Sequence, residues 1–138
     1  MNPKLLNILL VEDDEVDVMN VRRAFKANDI ANPLFVVGNG VEALEKLRSG
    51  ELPAERRLVL LDLNMPRMNG IEFLVELRRD PELAATTVVV LTTSNNDRDR
   101  VQAYDLNVAG YLVKPVTFAD FAELMATLNK YWTLVEMP

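Results

Sequence analysis

Five carboxylates stand within six residues, Glu12, Asp13, Asp14, Glu15 and Asp17. Part of this run has a local explanation: Asp14 is a good helix N-cap, and Glu15 and Asp17 in a first helical turn would complement the helix dipole. Glu12 and Asp13 lie further back, at the end of the apolar run Ile8 to Val11, and are poorly explained by capping. A further acid, Asp62, ends the run Leu58 to Leu61. Three carboxylates converging at one edge repel one another, and their pKa values rise unless a cation neutralises them. A hard divalent cation such as Mg²⁺ suits an all-oxygen site, for which two carboxylates and a backbone carbonyl would suffice. Lys114, ending Tyr111 to Val113, offers a second positive charge, and Thr92, ending Val88 to Leu91, a hydroxyl. Nucleophile, metal, cationic clamp and hydroxyl donor are the equipment for phosphoryl transfer to an aspartate. An ionised carboxylate nucleophile needs no protein base, in keeping with a chain that has no histidine.

Those residues can meet only if the chain folds so that its strand ends share an edge. Five apolar runs recur, Ile8 to Val11, Leu34 to Val37, Leu58 to Leu61, Val88 to Leu91 and Tyr111 to Val113, each followed by a segment with helical spacing. Continuous rather than alternating apolar runs suit parallel strands covered on both faces. The helices are marked by Val18, Val21 and Phe25; by Val41, Leu44 and Leu47; by Ile71, Leu74 and Leu77; by Val101 and Tyr104; and by Phe121, Met125, Leu128 and Trp132. The economical answer is one alternating (βα)5 α/β domain. Right-handed crossovers then place all strand C-termini on one edge, where open α/β sheets bind ligands. In order, those ends carry Glu12-Asp13-Asp14, Gly38-Asn39-Gly40, Asp62, Thr92-Thr93 and Lys114-Pro115.

Composition agrees and excludes much else. The 138 residues carry 21 acidic and 15 basic side chains, a formal net charge of −6, which disfavours a nucleic-acid footprint. With 49% hydrophobic and 26% charged residues the composition is ordinary for a globular chain of one domain. Zero cysteines exclude disulfides, thiolate metal sites and cysteine nucleophiles; zero histidines exclude Ser-His-Asp hydrolases, HExxH metalloproteases and histidine phosphocarriers. No stretch approaches the roughly 20 apolar residues of a membrane span, and the N-terminus lacks the pattern of a signal peptide, so a soluble cytoplasmic protein without membrane contact is expected.

The stretches ILLVEDDE at 8 to 15, LVLLDLNMPRMNG at 58 to 70, VVVLTTS at 88 to 94 and GYLVKP at 110 to 115 resemble the receiver domain of two-component response regulators over essentially the whole chain. The resemblance implies a doubly wound, flavodoxin-like three-layer sandwich with parallel strand order 2-1-3-4-5. It implies that Glu12 and Asp13 are the metal-binding acidic pair and Asp62 the phosphoacceptor and a metal ligand, with Asn64 ligating Mg²⁺ through its backbone carbonyl. Lys114 would contact the phosphoryl group, Pro115 would follow a cis Lys-Pro bond, and Thr92 and Tyr111 would form the switch that responds to phosphorylation. It further implies a sensor histidine kinase as partner, docking on the first helix near Val16, Met19 and Asn20, and a phospho-dependent surface on the fourth helix, fifth strand and fifth helix. Such a protein is a signalling protein rather than an enzyme in the ordinary sense, catalysing only its own phosphotransfer and a slow autodephosphorylation.

VVVLTTSNNDRD, the spacer 51–57 and the tail Tyr131-Trp132-Thr133-Leu134 are more narrowly similar to stand-alone regulators paired with phytochrome-type kinases. Val116 after Lys-Pro, where many receivers carry Phe, and Thr93, where many carry a smaller residue, bear on dephosphorylation and on the output face. The expected domain spans residues 1–138, with a core about 5–130 and an apolar tail 131–138, leaving output to protein binding. The tail and the fourth-to-fifth-helix face are expected to form a homodimer contact, while Trp132 alternatively closes the domain's own core. Gly38-Asn39-Gly40-Val41-Glu42-Ala43 also matches the G-x-G-x-x-A turn of dinucleotide-binding domains, although a glycine turn with unusual backbone angles explains the same letters. A haloacid-dehalogenase-like phosphatase would also phosphorylate a strand-end aspartate, but Asp62-Leu63-Asn64 lacks that family's second Asp. A receiver that has lost its chemistry and acts only as a scaffold is disfavoured because every chemical group is present.

Overall fold

A computed structural model describes residues 5–135. Strands and helices alternate: β1 (Asn7–Val11), α1 (Glu15–Ala27), β2 (Leu34–Val37), α2 (Gly40–Arg48), β3 (Arg57–Leu61), α3 (Gly70–Arg79), β4 (Thr87–Thr92), α4 (Asp97–Asp105), β5 (Gly110–Val113) and α5 (Phe118–Leu134). All strand pairs are parallel, in the order β2-β1-β3-β4-β5. Because side chains alternate across a strand, the central strands feed two cores. Leu9, Val11, Val59, Leu61, Val88 and Val90 pack with α2, α3 and Ala103 of α4. Ile8, Leu10, Leu58, Leu60, Val89 and Leu91 pack with α1 and α5. Strands apolar on both faces are what a sheet between two helical layers requires, which is why their sequence shows continuous runs.

Each helix starts on a side chain that takes up its free N–H groups. Asp14 accepts from Val16 and Asp17, Asn39 from Glu42, Asn96 from Arg98 and Asp99, and Thr117 from Asp120. Asn69 and Glu72 form a reciprocal capping box. These caps sit just beyond the strand ends, so the polar residues that begin helices also line the functional edge. At the opposite edge the Arg78 guanidinium donates to the carbonyls of Ala84, Thr86, Leu106 and Asn107, tying the α3–β4 and α4–β5 connections together.

Several expectations are corrected. On α4, Val101 and Tyr104 are exposed and Ala103 is the buried residue: the small side chain lets the helix approach the sheet, and Leu106 and Val108 beyond its end fill the space. The described residues contain no cis peptide bond, so Lys114-Pro115 is trans. The trans form is the lower in energy for X-Pro, and here the chain leaves β5 on a Lys114 N–H to Thr92 carbonyl bond of 2.8 Å and passes directly to the Thr117 cap. Neither Gly38 nor Gly40 has a positive φ. Gly40 is small because a Cβ there would lie 2.6 Å from Met68 Cγ. Helix α5 continues through Leu134, so the expected tail begins as helix; Trp132 is 5% exposed and closes the α1/α5 core, whereas Tyr131 and Leu134 face outward. The remainder of that tail, 136–138, lies outside the described residues.

Candidate functional site

The β-ladders continue one bond past the strands and fix the backbone from which the acids project. Glu12 N–H donates to the Val37 carbonyl at 3.0 Å, and Asp62 N–H to the Val11 carbonyl at 3.1 Å. Since Val11 pairs with Leu61, the next residues Glu12 and Asp62 emerge side by side from the centre of the sheet. Carboxylate oxygens of Glu12, Asp13 and Asp62 lie within 4.8 Å of one another, with Glu12 and Asp62 buried and Asp13 exposed.

Lys114 reaches this cluster from the far end of β5. Its ammonium donates to Glu12 Oε2 at 2.6 Å and to Asp17 Oδ2 at 2.9 Å and stands 3.8 Å from Asp62 Oδ2. Burial alone would lower its pKa, but the bonds to Glu12 and Asp17 and the charges of Glu12 and Asp62 outweigh it and hold Lys114 above its ordinary value. Glu12 shows the opposite balance. Burial pushes its carboxyl from an ordinary 4.5 up to about 7, against the pull of Lys114. One ammonium among buried acids leaves room for a further positive charge, and all the donors are oxygens. The residues present therefore fit a divalent cation.

The other Asp62 oxygen is held from the opposite side. Thr92 Oγ1, fully buried, donates to Asp62 Oδ1 at 2.8 Å, and the Asn64 N–H donates to the same oxygen at 3.3 Å. The Asn64 side chain itself is exposed. Tyr111 is half-buried, and its hydroxyl donates to the Ser94 carbonyl at 3.0 Å, so the ring is turned toward the β4–α4 loop. Pro115 lies in the loop after Lys114, away from Asp62 by position, and lines a small recess with Glu12, Asp17 and Phe118.

Glu12, Asp13, Asp62, Thr92 and Lys114 are thus brought together as the sequence suggests. Asp17 is a residue that sequence reasoning assigned only to the helix dipole. Its place in the third position of α1, one turn after the acidic pair, was the available signal that it faces the same edge. Ser94 was also missed, since an isolated serine in a loop carries no signal. The glycine-containing turn 38–40 does not cradle a phosphate. The Glu42 carboxylate takes that position, accepting from the Gly38 N–H at 3.1 Å and from the Asn39 side chain at 3.1 Å. An anionic pyrophosphate would meet a carboxylate there. Asn64 two residues after Asp62 supplies no general acid, so the phosphatase alternative also lacks its chemistry.

The pattern of the family described as Response regulator receiver domain matches residues 8–128. The chain is 39% identical over 130 residues to the probable methanogenesis regulatory protein FilR2 of Methanothrix harundinacea, covering 91% of this chain and 82% of the relative. It is 37% identical over 128 residues to the response regulator Rcp1 of Synechocystis, covering 91% and 87%. A crystal structure of the Mn(2+)-bound form of Rcp1 superimposes with a TM-score of 0.83 at 36% identity over 96% of this chain and 99% of the other. The crystal structure of the phosphorylated cyanobacterial phytochrome response regulator RcpA gives a TM-score of 0.85 at 33% identity over 97% and 99%.

Proposed function

The chain belongs to the response regulator receiver domain family, whose phosphoryl donors are histidine kinases, and from that premise we propose that it accepts a phosphoryl group on Asp62 in a Mg²⁺-dependent phosphorelay. One observation carries this reading: Asp62 is a buried carboxylate with one oxygen held by Thr92 and Asn64 and the other beside Lys114, next to two further acids. Held on Oδ1, the carboxylate presents Oδ2 for attack on phosphorus. The O–P bond forms as the P–N bond of a donor phosphohistidine breaks, and the leaving imidazole nitrogen takes a proton from solvent. The donor imidazole belongs to the partner, since this chain has no histidine.

Glu12, Asp13, Asp62 and the Asn64 carbonyl would hold Mg²⁺, which when bound neutralises charge on the transferring phosphoryl oxygens. Lys114 supplies the same neutralisation from the β5 side, and Thr92 would donate a hydrogen bond to a phosphoryl oxygen. Thr92 and Tyr111 pass the change outward, and the acyl phosphate is lost slowly by hydrolysis at the same site. Similarity to the cyanobacterial phytochrome response regulator RcpA favours a phytochrome-type kinase and with it a cytoplasmic setting. Among the described residues no helix is long and apolar enough to cross a membrane. The outward side chains Val101, Tyr104, Val113, Tyr131 and Leu134 favour a homodimer through the α4–β5–α5 face and the end of α5, and signalling by protein contact.

The reading is tested with a small acyl phosphate as donor. One acid- and hydroxylamine-labile phosphoryl group per chain is expected with Mg²⁺ and none in chelator; absence of labelling with Mg²⁺ overturns it.

A pH dependence follows from Glu12. Its folded pKa of about 7 lies above the ordinary 4.5, so the protonated carboxyl favours the fold; that contribution is full below about 4.5 and lost as pH rises through about 7. A cation competes with this proton. Mg²⁺ affinity measured by calorimetry is expected to fall by up to about tenfold per pH unit below pH 7 and to level off above it. A flat profile through this range would contradict a ligand role for Glu12.

A further inference from the structure

Ser94 uses every polar group it has. Its N–H donates to Thr92 Oγ1 at 3.3 Å, its carbonyl accepts from Tyr111 at 3.0 Å, and its hydroxyl donates to Asp99 Oδ2 at 2.6 Å while accepting from the Asn96 N–H at 3.4 Å. Thr92 Oγ1 is the same atom that donates to Asp62 Oδ1. A continuous chain of hydrogen bonds therefore runs from the Asp62 carboxylate through Thr92 and Ser94 to a side chain in the first turn of α4.

What this chain moves depends on how firmly α4 is otherwise held. Of its nine residues only Ala103 is buried, and in its first turn Asp97 and Arg98 are exposed while Asp99 and Arg100 are half-buried. Its far end is fixed by Arg78, which donates to the Leu106 and Asn107 carbonyls at 2.8 and 3.0 Å. The helix is thus clamped by polar bonds at both ends with little apolar packing between. The Arg78 clamp touches nothing near Asp62, whereas the Ser94–Asp99 clamp hangs on the Thr92 hydroxyl.

We propose that Ser94 and Asp99 are positioning residues that couple the state of Asp62 to the N-terminal turn of α4, with Arg78 as the fixed anchor at the other end. When Thr92 Oγ1 re-aims from the Asp62 carboxylate to a phosphoryl oxygen, the Ser94 N–H loses or shifts its acceptor. The Ser94 hydroxyl carries that shift to Asp99, and through Asp99 to the turn it belongs to. The branch to Tyr111 leaves from the Ser94 carbonyl and does not depend on Asp99. The proposal rests on phosphorylation of Asp62 and adds a route by which it is read.

The test is hydrogen exchange of the α4 amides in the whole protein, free and after acyl phosphate treatment with Mg²⁺, with phosphoryl content measured on the same samples. In the parent the exchange rates at residues 98–100 are expected to change by about tenfold or more on phosphorylation, the scale of one hydrogen bond to a charged group. In Ser94→Ala and Asp99→Ala phosphoryl content should be unchanged and that ratio should fall to about one. Asp99→Asn keeps an acceptor for the Ser94 hydroxyl while losing the same charge from the helix start, and should retain the parent's response. In the free protein, Thr92→Ala should speed exchange of the Ser94 amide, a result that does not depend on phosphorylation. Full labelling with a parent-sized α4 response in Ser94→Ala or Asp99→Ala overturns the proposal, as does labelling of the parent without any α4 response. Failure of the parent to label overturns the phosphoacceptor reading instead, and the Thr92→Ala arm then decides alone whether the linkage exists.

Discussion

Asp62→Asn is expected to reduce phosphoryl uptake from an acyl phosphate to background while leaving the protein folded. The loss is complete because an amide oxygen is a poor nucleophile toward phosphorus, and no neighbouring acid is placed to substitute. Glu12 is engaged by Lys114 at 2.6 Å and is buried deeper, and Asp13 is exposed at the rim. The fold survives because the amide oxygen still accepts from Thr92 Oγ1 and from the Asn64 N–H, and because removing one charge from a cluster of acids relieves repulsion. Lys114 keeps its two short bonds, to Glu12 and Asp17. Mg²⁺ affinity should weaken, since one of three converging carboxylates becomes neutral. Radiolabel incorporation, thermal denaturation and calorimetric titration of the same sample separate these effects. Labelling that persists in Asp62→Asn would place the phosphoryl group elsewhere, and a variant that no longer folds would show the carboxylate to be needed for more than chemistry.

The strands were legible because a sheet covered on both faces leaves uninterrupted apolar runs, and each strand observed lies within one residue of its run at either end. Glu12, Asp62, Thr92 and Lys114 were legible for the related reason that parallel strands deliver their C-terminal residues to one edge. The failures fall where a single contact decides the outcome. Val101 and Tyr104 have the spacing of a buried stripe, yet α4 is seated by Ala103 and by polar bonds at its ends, neither of which has a periodic signature. The glycines at 38 and 40 suggested a special backbone, whereas the operative constraint at Gly40 is the Met68 side chain, distant in sequence. Asp17 has an adequate local role at the start of α1, which concealed its second role as a partner of Lys114, 97 residues away. Trp132 fits both a surface and a core from its spacing alone; its burial follows from the way α5 lies across α1 and the sheet, where it meets the α1/α5 core.

Gly70→Ala is expected to be the most damaging single-methyl addition to the site. Gly70 opens α3, its N–H donates to the Leu63 carbonyl at 3.0 Å, and a Cβ placed on it would lie 2.7 Å from the Asp62 carbonyl oxygen and 2.7 Å from Leu63 Cα. Both of those neighbours are backbone, so no rotamer change relieves the clash. Either the N-terminus of α3 withdraws, breaking the bond to Leu63 and disturbing the Asn69–Glu72 cap, or the chain carrying Asp62 moves toward the sheet. Overpacking of this kind costs about 1–3 kcal/mol, and the rigid neighbours put Gly70→Ala at the upper end, read as a lowered urea midpoint. Movement of Asp62 against Thr92 and Lys114 has a larger effect on chemistry, since a displacement of about 1 Å can cost on the order of 100-fold in rate. Phosphoryl uptake should slow by that factor even in the fraction that remains folded. Gly40→Ala meets the Met68 side chain at Cγ and Sδ, 2.6 and 2.9 Å away, rather than backbone, and Gly50→Ala meets nothing within 4 Å but takes a positive φ of 82°. Gly50→Ala should therefore cost about 1–2 kcal/mol of stability with an unchanged labelling rate, and Gly40→Ala should fall between the other two. Normal labelling by Gly70→Ala would mean that the backbone after β3 can shift without moving the nucleophile, and that Asp62 is held by its hydrogen bonds alone.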